Sequence, residues 1–292
     1  MRGGAVLGSE DVSVVLAGPI SRHTQPAIAA VRRWLPEAEL IVSSWRGTVP
    51  ADLDADEVVE SDDPGSPSGH NTNRMLRSVR RGVERATRPH ILRLRSDALL
   101  RGTGFIDWWD FEPPRSSAFA AFSRRILTIN VAVRPSDRSP GLLYHPSDCV
   151  HFGLTDDIQR LWATDEIDEV ANAGHARCRH GRNVGLPRHT NEQALWIGCL
   201  RSFGHAIDYC SALAMGQRAK TDSELGIVNN FLVLEPWQFG ILLPKLQHEV
   251  VSLGAVGIRM WLSDWRRVQE QAAEATPSYR VNAPEPAGVG SA

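Results

Sequence analysis

The residues best suited to chemistry follow a short apolar segment, His90-Ile-Leu-Arg-Leu-Arg-Ser-Asp97. Arg95, Ser96 and Asp97 come where the apolar pattern stops, which is typical of a buried strand that ends in polar groups. In an open α/β sheet, ligands bind at this carboxyl edge. A carboxylate there can bind a divalent metal ion or sugar hydroxyls, while guanidinium groups bind phosphate oxygens. The segment therefore predicts a nucleotide-sugar site marked by Asp97.

A second group of candidates lies on a helix predicted over residues 71–87. Its polar face carries arginines at three-to-four-residue spacing, namely Arg74, Arg77, Arg81 and Arg85. A solvated helix face is the ordinary explanation for such a stripe. Arg74 differs because it lies in the first turn, where free backbone N–H groups also favour an anion. We therefore expect Arg74 to bind an anion before its neighbours do.

Alternating apolar runs and helical patterns must position these side chains. Strands are predicted over residues 12–17, 38–45, 57–60, 90–97, 126–133 and 230–234, with Asp148 at the end of a further strand, and helices over 25–35, 71–87, 156–162 and 191–201. Strand, helix and strand joined by short connections predict an α/β fold with a mostly parallel central sheet flanked by helices. The first strand stops at Gly18-Pro19, so its end should lie beside the end of the Asp97 strand.

Length and composition limit the domain organisation and the kinds of partner to expect. The chain has 292 residues, 42% hydrophobic content and a net charge of −2. We expect one domain over residues 11–275, with a nucleotide-binding half (11–100) and an acceptor half (101–275), between a flexible leader (1–10) and a disordered tail (276–292). The near-neutral charge argues against a nucleic-acid partner. Only two of the 32 basic residues are lysines, Lys220 and Lys245.

The cellular compartment is predicted from what the sequence lacks. The four cysteines form no recognisable disulfide framework, which favours a reducing cytoplasm. The first residues do not have the pattern of a signal peptide, and no run approaches the roughly 20 apolar residues of a membrane span. We therefore expect a cytoplasmic protein, with at most peripheral membrane association at the inner face.

Seven blocks, in order over roughly residues 12–245, resemble one family. They are Val12-Ser-Val-Val-Leu-Ala-Gly-Pro-Ile20, Ile41-Val-Ser-Ser-Trp-Arg-Gly47, Asp63-Pro-Gly65, Asn71-Thr-Asn-Arg74, Leu94-Arg-Ser-Asp97, Ser147-Asp148 with Phe152-Gly153, and Glu192-Gln193. Together they resemble the WavE-type proteins of lipopolysaccharide and surface-polysaccharide synthesis. The resemblance implies a bacterial glycosyltransferase with a GT-A-like nucleotide-diphospho-sugar fold. Its partners would be a nucleotide-sugar donor and a glycan or lipid-linked glycan acceptor.

The resemblance also suggests where the donor binds. Donor contacts are expected from Ala17, Gly18, Pro19, Asp63, Asn73, Arg74, Arg95, Ser96 and Asp97, with Asp63 on ribose hydroxyls. The usual Asp-x-Asp metal pair is replaced here by Arg95-Ser-Asp97. The remaining Asp97 can hold Mn²⁺ or Mg²⁺ if diphosphate and waters complete the octahedron. Alternatively, Arg95 and Arg74 neutralise the diphosphate without a metal.

Sugar transfer also needs a base for the acceptor hydroxyl. Asp148 is the first candidate, since the resemblance marks it, although a turn role is an equal alternative. Glu192 is the second candidate, or a ligand of acceptor hydroxyls, with helix capping as the alternative. Asp157, a helix-start carboxylate, is also considered for the acceptor side. Trp108 and Trp109 are candidates for stacking on the acceptor sugar, although aromatic residues more often pack in the core.

Two other functions remain open. A nucleotidyltransferase that makes an activated sugar can share the same sheet, but it normally has a Gly-rich basic loop after the first strand. Here that segment is Gly18-Pro-Ile-Ser-Arg22, with one glycine and one arginine. A non-catalytic partner in a polysaccharide assembly complex is the other alternative, and the absent second acidic residue supports it.

Overall fold

A computed structural model describes residues 7–134, 142–173, 187–207, 217–246 and 259–277 of the chain. Within these ranges the protein is a mixed α/β structure around a seven-stranded sheet. A short 3₁₀ turn, Ser9–Asp11, occupies the end of the predicted leader, while residues 1–6 lie outside the described part. The predicted disordered tail also lies outside it, apart from residues 276 and 277.

The main sheet has the strand order β3-β2-β1-β4-β7-β6-β8. Its strands are β1 (Val12–Ala17), β2 (Glu39–Trp45), β3 (Glu57–Ser61), β4 (His90–Arg95), β6 (Ile126–Ile129), β7 (Val150–Leu154) and β8 (Phe231–Leu234). Strands β3, β2, β1 and β4 are parallel, as are β6 and β8, whereas β7 runs antiparallel to both neighbours. The sheet is therefore mostly parallel, as the sequence predicted. A second sheet pairs β5 (Leu99–Leu100) with β9 (Ile241–Leu242).

Helices flank the main sheet. They are α1 (Thr24–Trp34), α2 (Thr72–Val83), α3 (Gly104–Trp109), α4 (Thr155–Trp162), α5 (Glu169–Ala173), α6 (Asn191–Ser202), α7 (Gln217–Asn230), α8 (Pro236–Phe239) and α9 (Leu262–Gln269). None of the helices in the described ranges is both long and apolar enough to span a bilayer.

Some elements differ from the predicted ones. The strand predicted over residues 126–133 ends at Ile129, and Ala132 has a φ of +71°, which an extended strand does not allow. Helix α7 was not predicted from the sequence. Its buried face includes Ser223, Asn229 and Asn230, so polar residues obscure its apolar pattern.

Strand β1 lies where the chain changes direction across the sheet. Strands β2 and β3 follow on one side of β1, while β4 pairs with its other side. Ligands of open α/β proteins bind in the crevice at such a switch point, outside the carboxyl ends of the strands. All six residues of β1 are buried, as expected of a central strand covered by helices on both faces.

Helix α2 packs closely on the sheet through Gly82. A methyl group there would lie 2.6 Å from Cγ1 of Val15 and 3.0 Å from Cβ of Ser43. We expect Gly82→Ala to lower the free energy of unfolding by about 1–3 kcal/mol, because the added group overpacks this contact. Gly226→Ala is the control, since its methyl group would meet no atom within 4 Å and alanine favours a helix. Equal denaturation midpoints for the two variants would contradict the close contact at Gly82.

Candidate active site

The ends of β1 and β4 meet at the centre of the sheet. Ala17 pairs with Arg95, and the Ser96 amide continues the ladder by donating to the Ala17 carbonyl over 3.1 Å. The Ser96 hydroxyl donates to the Pro19 carbonyl over 2.8 Å. Gly18 has a φ of +131°, and a Cβ there would lie 3.1 Å from Oγ of Ser96. Glycine therefore lets the two strand ends approach closely and keeps the backbone open to a ligand.

A cleft of about 460 Å³ opens at these strand ends. Eight of the site residues that were predicted from the sequence line it: Ala17, Gly18, Pro19, Arg74, Arg95, Ser96, Asp97 and Asp148. Trp45, His70, Arg93, Asn191 and Lys245 also line it. Among the described lining residues there are four Arg or Lys side chains and two carboxylates, so the cleft favours an anion.

Asp97 is buried beneath two cations. Its Oδ1 accepts from Nε of Arg95 at 2.9 Å, and its Oδ2 accepts from Nη2 of Arg95 at 3.0 Å. Nζ of Lys245 lies 3.1 Å from Oδ2. Burial favours a higher pKa for Asp97, but the hydrogen bonds from Arg95 and Lys245 outweigh it and hold the pKa below its usual value. Asp97 is therefore an ionised carboxylate with two bound cations.

Arg93 is a cation that the sequence reasoning missed. It lies in the middle of β4, is only 3% exposed, and donates through Nη1 to the Asp148 carbonyl. Its guanidinium lies 4.7 Å from the centre of the Trp162 ring, and its Nε has no hydrogen-bond partner in the structure. Burial lowers the pKa of Arg93 to about 10, so the side chain remains charged at neutral pH. An arginine within an apolar strand run was the signal in the sequence, since buried arginines are rare unless they are paired.

Arg74 reaches the edge of the cleft from the first turn of α2. Asp63 holds it with two hydrogen bonds of 2.7 Å, and Asn71 accepts a third at 3.0 Å. Asp63 thus orients Arg74 instead of lining the cleft itself. Further along the predicted stripe the arginines pair with acids, Arg77 of α2 with Glu166 and Arg85, just beyond the end of α2, with Glu57. This part of the stripe is therefore a neutralised surface.

Glu192 lies near Asp148, and its largely buried side chain, 16% exposed, contacts the buried His145. Its Oε2 is 3.3 Å from Nε2 of His145, whose Nδ1 lies 2.6 Å from the Ala132 carbonyl. A carbonyl only accepts, so Nδ1 carries the proton and Nε2 of the neutral ring accepts from a protonated Glu192. Burial, together with the negative charge of Asp148, raises the pKa of Glu192 to about 8. Burial and the charge of Arg134 lower the pKa of His145 to about 4, so the pair is neutral near pH 7.

The reciprocal cap of α6 is formed by residues other than Glu192. The backbone N–H of Gln193 donates to Oγ1 of Thr190 over 3.3 Å, and the backbone N–H of Thr190 donates to Oε1 of Gln193 over 3.0 Å. The first turn of α6 thereby directs Glu192 towards His145 and places Asn191 on the cleft. Glu192 also hydrogen-bonds the Thr190 side chain and its own backbone N–H, so a role at the start of α6 accompanies its contact with His145.

The remaining nominated residues make contacts within the fold. The Asn73 side chain bonds both backbone groups of Ile167, and the Asp157 carboxylate accepts the amides of Ser123 and Arg124. Trp109 is 6% exposed and packs against Phe152. Trp108 is half-buried and meets Phe111 edge to face. Both tryptophans therefore pack against other aromatic residues of the fold, in agreement with the core-packing interpretation of their sequence pattern.

A divalent metal ion does not fit the donor set around Asp97. Both of its oxygens already bind cations, and its side chain is only 4% exposed. Within the described ranges, no cluster of three or more His, Cys, Asp or Glu side chains could hold a metal ion. Mg²⁺ and Mn²⁺ need a near-octahedral shell of oxygens, which a carboxylate committed to Arg95 and Lys245 does not offer.

Sequence comparison agrees with the blocks that suggested a family. A family model described as WavE lipopolysaccharide synthesis matches residues 12–281. No curated protein matches the chain. The match extends from β1 beyond α9 and includes every residue of the cleft, which confirms the resemblance. The chain therefore belongs to the WavE family, which implies a part in lipopolysaccharide synthesis.

Proposed function

We propose that the protein is a glycosyltransferase with a GT-A-like fold, which transfers a sugar from a nucleotide-sugar donor to a glycan or lipid-linked glycan acceptor. The observation that carries the proposal is the convergence of Arg74, Arg93, Arg95 and Lys245 on a cleft at the β1–β4 switch point, with Asp148 among them. Nucleotides bind at such switch points, and guanidinium groups match phosphate oxygens in geometry. Membership of a lipopolysaccharide synthesis family supports the choice of substrate class.

The donor would lie across the strand ends. Backbone at Ala17, Gly18 and Pro19 would contact the nucleoside, and the flat rings of Trp45 and His70 also line this space. The diphosphate would lie on the cations. Arg93 would add to this attraction, because its guanidinium is charged at neutral pH and the residue lines the cleft.

Asp148 is the proposed catalytic base. In a direct displacement, the acceptor hydroxyl oxygen forms a bond to the anomeric carbon while the bond to the diphosphate oxygen breaks. The bonding electrons leave with the nucleoside diphosphate, and the hydroxyl proton passes to the Asp148 carboxylate. The cations stabilise the negative charge that develops on the leaving group. On this proposal the reaction takes place in the cytoplasm, where the protein associates at most peripherally with the inner face of the membrane.

A thermal-shift screen against nucleotide sugars tests the proposal. A true donor at about a hundred times its dissociation constant should stabilise the protein by roughly 2.7 kcal/mol. Purified protein should also release the nucleoside diphosphate from that donor, slowly with water and faster with an acceptor glycan. A protein that binds no nucleotide sugar, or binds one without any turnover, would instead support a non-catalytic partner.

Two arginines of α2 provide a matched pair of variants for this screen. Arg74 lines the cleft, whereas the Arg81 side chain is 62% exposed and lies 3.5 Å from Glu84. We expect Arg74→Ala to weaken binding of the nucleoside diphosphate about tenfold, the usual effect of losing a charged hydrogen bond. Arg81→Ala should leave the affinity unchanged. Equal losses in the two variants would show that general surface charge, not this cleft, attracts the nucleotide.

A further inference from the structure

Lys245 approaches Asp97 because the small second sheet positions it there. Strand β5 begins two residues after Asp97, and its Leu99 pairs with Leu242 of β9. The 3₁₀ turn Pro244–Leu246 follows β9 directly, so this pairing carries Lys245 to the carboxyl end of β4. The sheet thus brings a cation from a distant part of the sequence onto the central carboxylate of the cleft.

Arg95, Asp97 and Lys245 form a unit that we name the cation clamp. Asp97 uses both oxygens within it, while Arg95 and Lys245 are 33% and 47% exposed on the cleft side. One N–H of the lysine ammonium satisfies Asp97, which leaves two for a ligand, and Nη1 of Arg95 is not used on Asp97. The clamp therefore offers several hydrogen-bond donors to an anion, and its two cations outnumber its single carboxylate.

We propose that the cation clamp binds the donor diphosphate directly, in place of a divalent metal ion, and that Asp97 is a positioning residue that holds Arg95 and Lys245. This inference rests on the proposed donor-binding function. It explains why both oxygens of the Asp97 carboxylate bind cations although the residue lines the cleft. It also gives a role to one of only two lysines in a chain whose other basic residues are all arginines.

Calorimetric titration of the full-length protein tests the clamp. The probes are pyrophosphate and the nucleoside diphosphates UDP and GDP, each with EDTA and again with excess Mn²⁺ or Mg²⁺. We expect the dissociation constants to be the same with and without metal. Lys245→Met should weaken pyrophosphate binding about tenfold in both buffers, because it removes one charged hydrogen bond.

The other lysine provides the matched control. Lys220 lies in α7 and is half-buried, so Lys220→Met removes the same charge away from the residues that line the cleft. Its affinity for pyrophosphate should equal that of the wild type. Lys245→Arg keeps the charge and should restore much of the binding that Lys245→Met loses. Equal affinities of Lys245→Met and Lys220→Met would overturn the proposal.

Asp97→Asn separates positioning from metal binding. A positioning role predicts the same fractional loss of affinity in EDTA and in Mn²⁺, since Arg95 and Lys245 lose their anchor in both. A metal-ligand role predicts that affinity falls only in the buffer that contains Mn²⁺, and that result would overturn the clamp. Nucleotide binding that requires metal would also overturn it while leaving the transferase proposal intact. Metal-independent binding of pyrophosphate without any binding of nucleotides would support the clamp and contradict the transferase.

Discussion

Replacing Asp148 by asparagine is expected to slow sugar transfer by about 10²- to 10⁴-fold, the usual contribution of a general base. The amide has nearly the same shape but cannot take the proton of the acceptor hydroxyl. Asp148 lines the cleft, and its carbonyl already accepts from Arg93, which fixes the backbone beneath the side chain. Steady-state rates with the identified donor and a glycan acceptor measure the effect.

Nucleotide binding distinguishes lost chemistry from lost structure in this variant. Asp148→Asn should bind the nucleoside diphosphate at least as tightly as the wild type, since it removes a negative charge from an anion site. Asp165→Asn is the control, because that side chain is 97% exposed and lies 3.6 Å from Arg80 of α2. Its transfer rate should not change. A near-normal rate for Asp148→Asn would remove Asp148 as the base.

Glu192 should make the stability of the protein fall between pH 6.5 and 8. In the unfolded chain its pKa is near 4.5, whereas burial and Asp148 raise the folded value to about 8. Between these values the folded state keeps a proton that the unfolded state has released, so the free energy of unfolding falls as pH rises. Above pH 6.5 this amounts to about 2 kcal/mol, at 1.36 kcal/mol for each pH unit.

Below pH 6.5, His145 acts in the opposite direction. Its folded pKa is about 4, lowered from 6.5 by burial and by Arg134, so between these values the unfolded state binds the extra proton. That contribution to stability therefore rises with pH and offsets the effect of Glu192 up to pH 6.5. Above pH 6.5 the effect of His145 levels off as the unfolded imidazole loses its proton, so a comparison with a Glu192 variant between pH 6.5 and 8 reports mainly on Glu192.

Chemical denaturation of the wild type and of Glu192→Gln across this window measures the effect. The glutamine amide can still donate to Nε2 of His145 but cannot titrate. We expect the stability of the wild type, relative to Glu192→Gln, to decrease by about 2 kcal/mol from pH 6.5 to 8. Parallel profiles for the two proteins would mean that Glu192 is already ionised at neutral pH. In that case it would become available as the base, the second role considered for it.

Much of the fold over residues 11–100 could be predicted from local sequence pattern. Strands β1 and β4 and helix α2 form close to their predicted positions. Each has a recognisable local pattern, an apolar run for the strands and helical apolar spacing for the helix, and a residue type that ends it. The direction of strand β7 and the presence of helix α7 were harder to predict from the sequence. An antiparallel and a parallel strand have the same local pattern when both faces are buried, so only pairing fixes the direction.

Local sequence was enough to predict that polar residues follow β1 and β4, because an apolar strand ending in Gly18-Pro19 or Ser96-Asp97 is a local property of the chain. Which charges meet there depends on how distant segments fold together. Lys245 reaches Asp97 through the pairing of β5 with β9, and Glu192 meets His145 across the packing of α6. Burial then set the protonation of these groups, since desolvation and neighbouring charges exist only after distant segments have packed together.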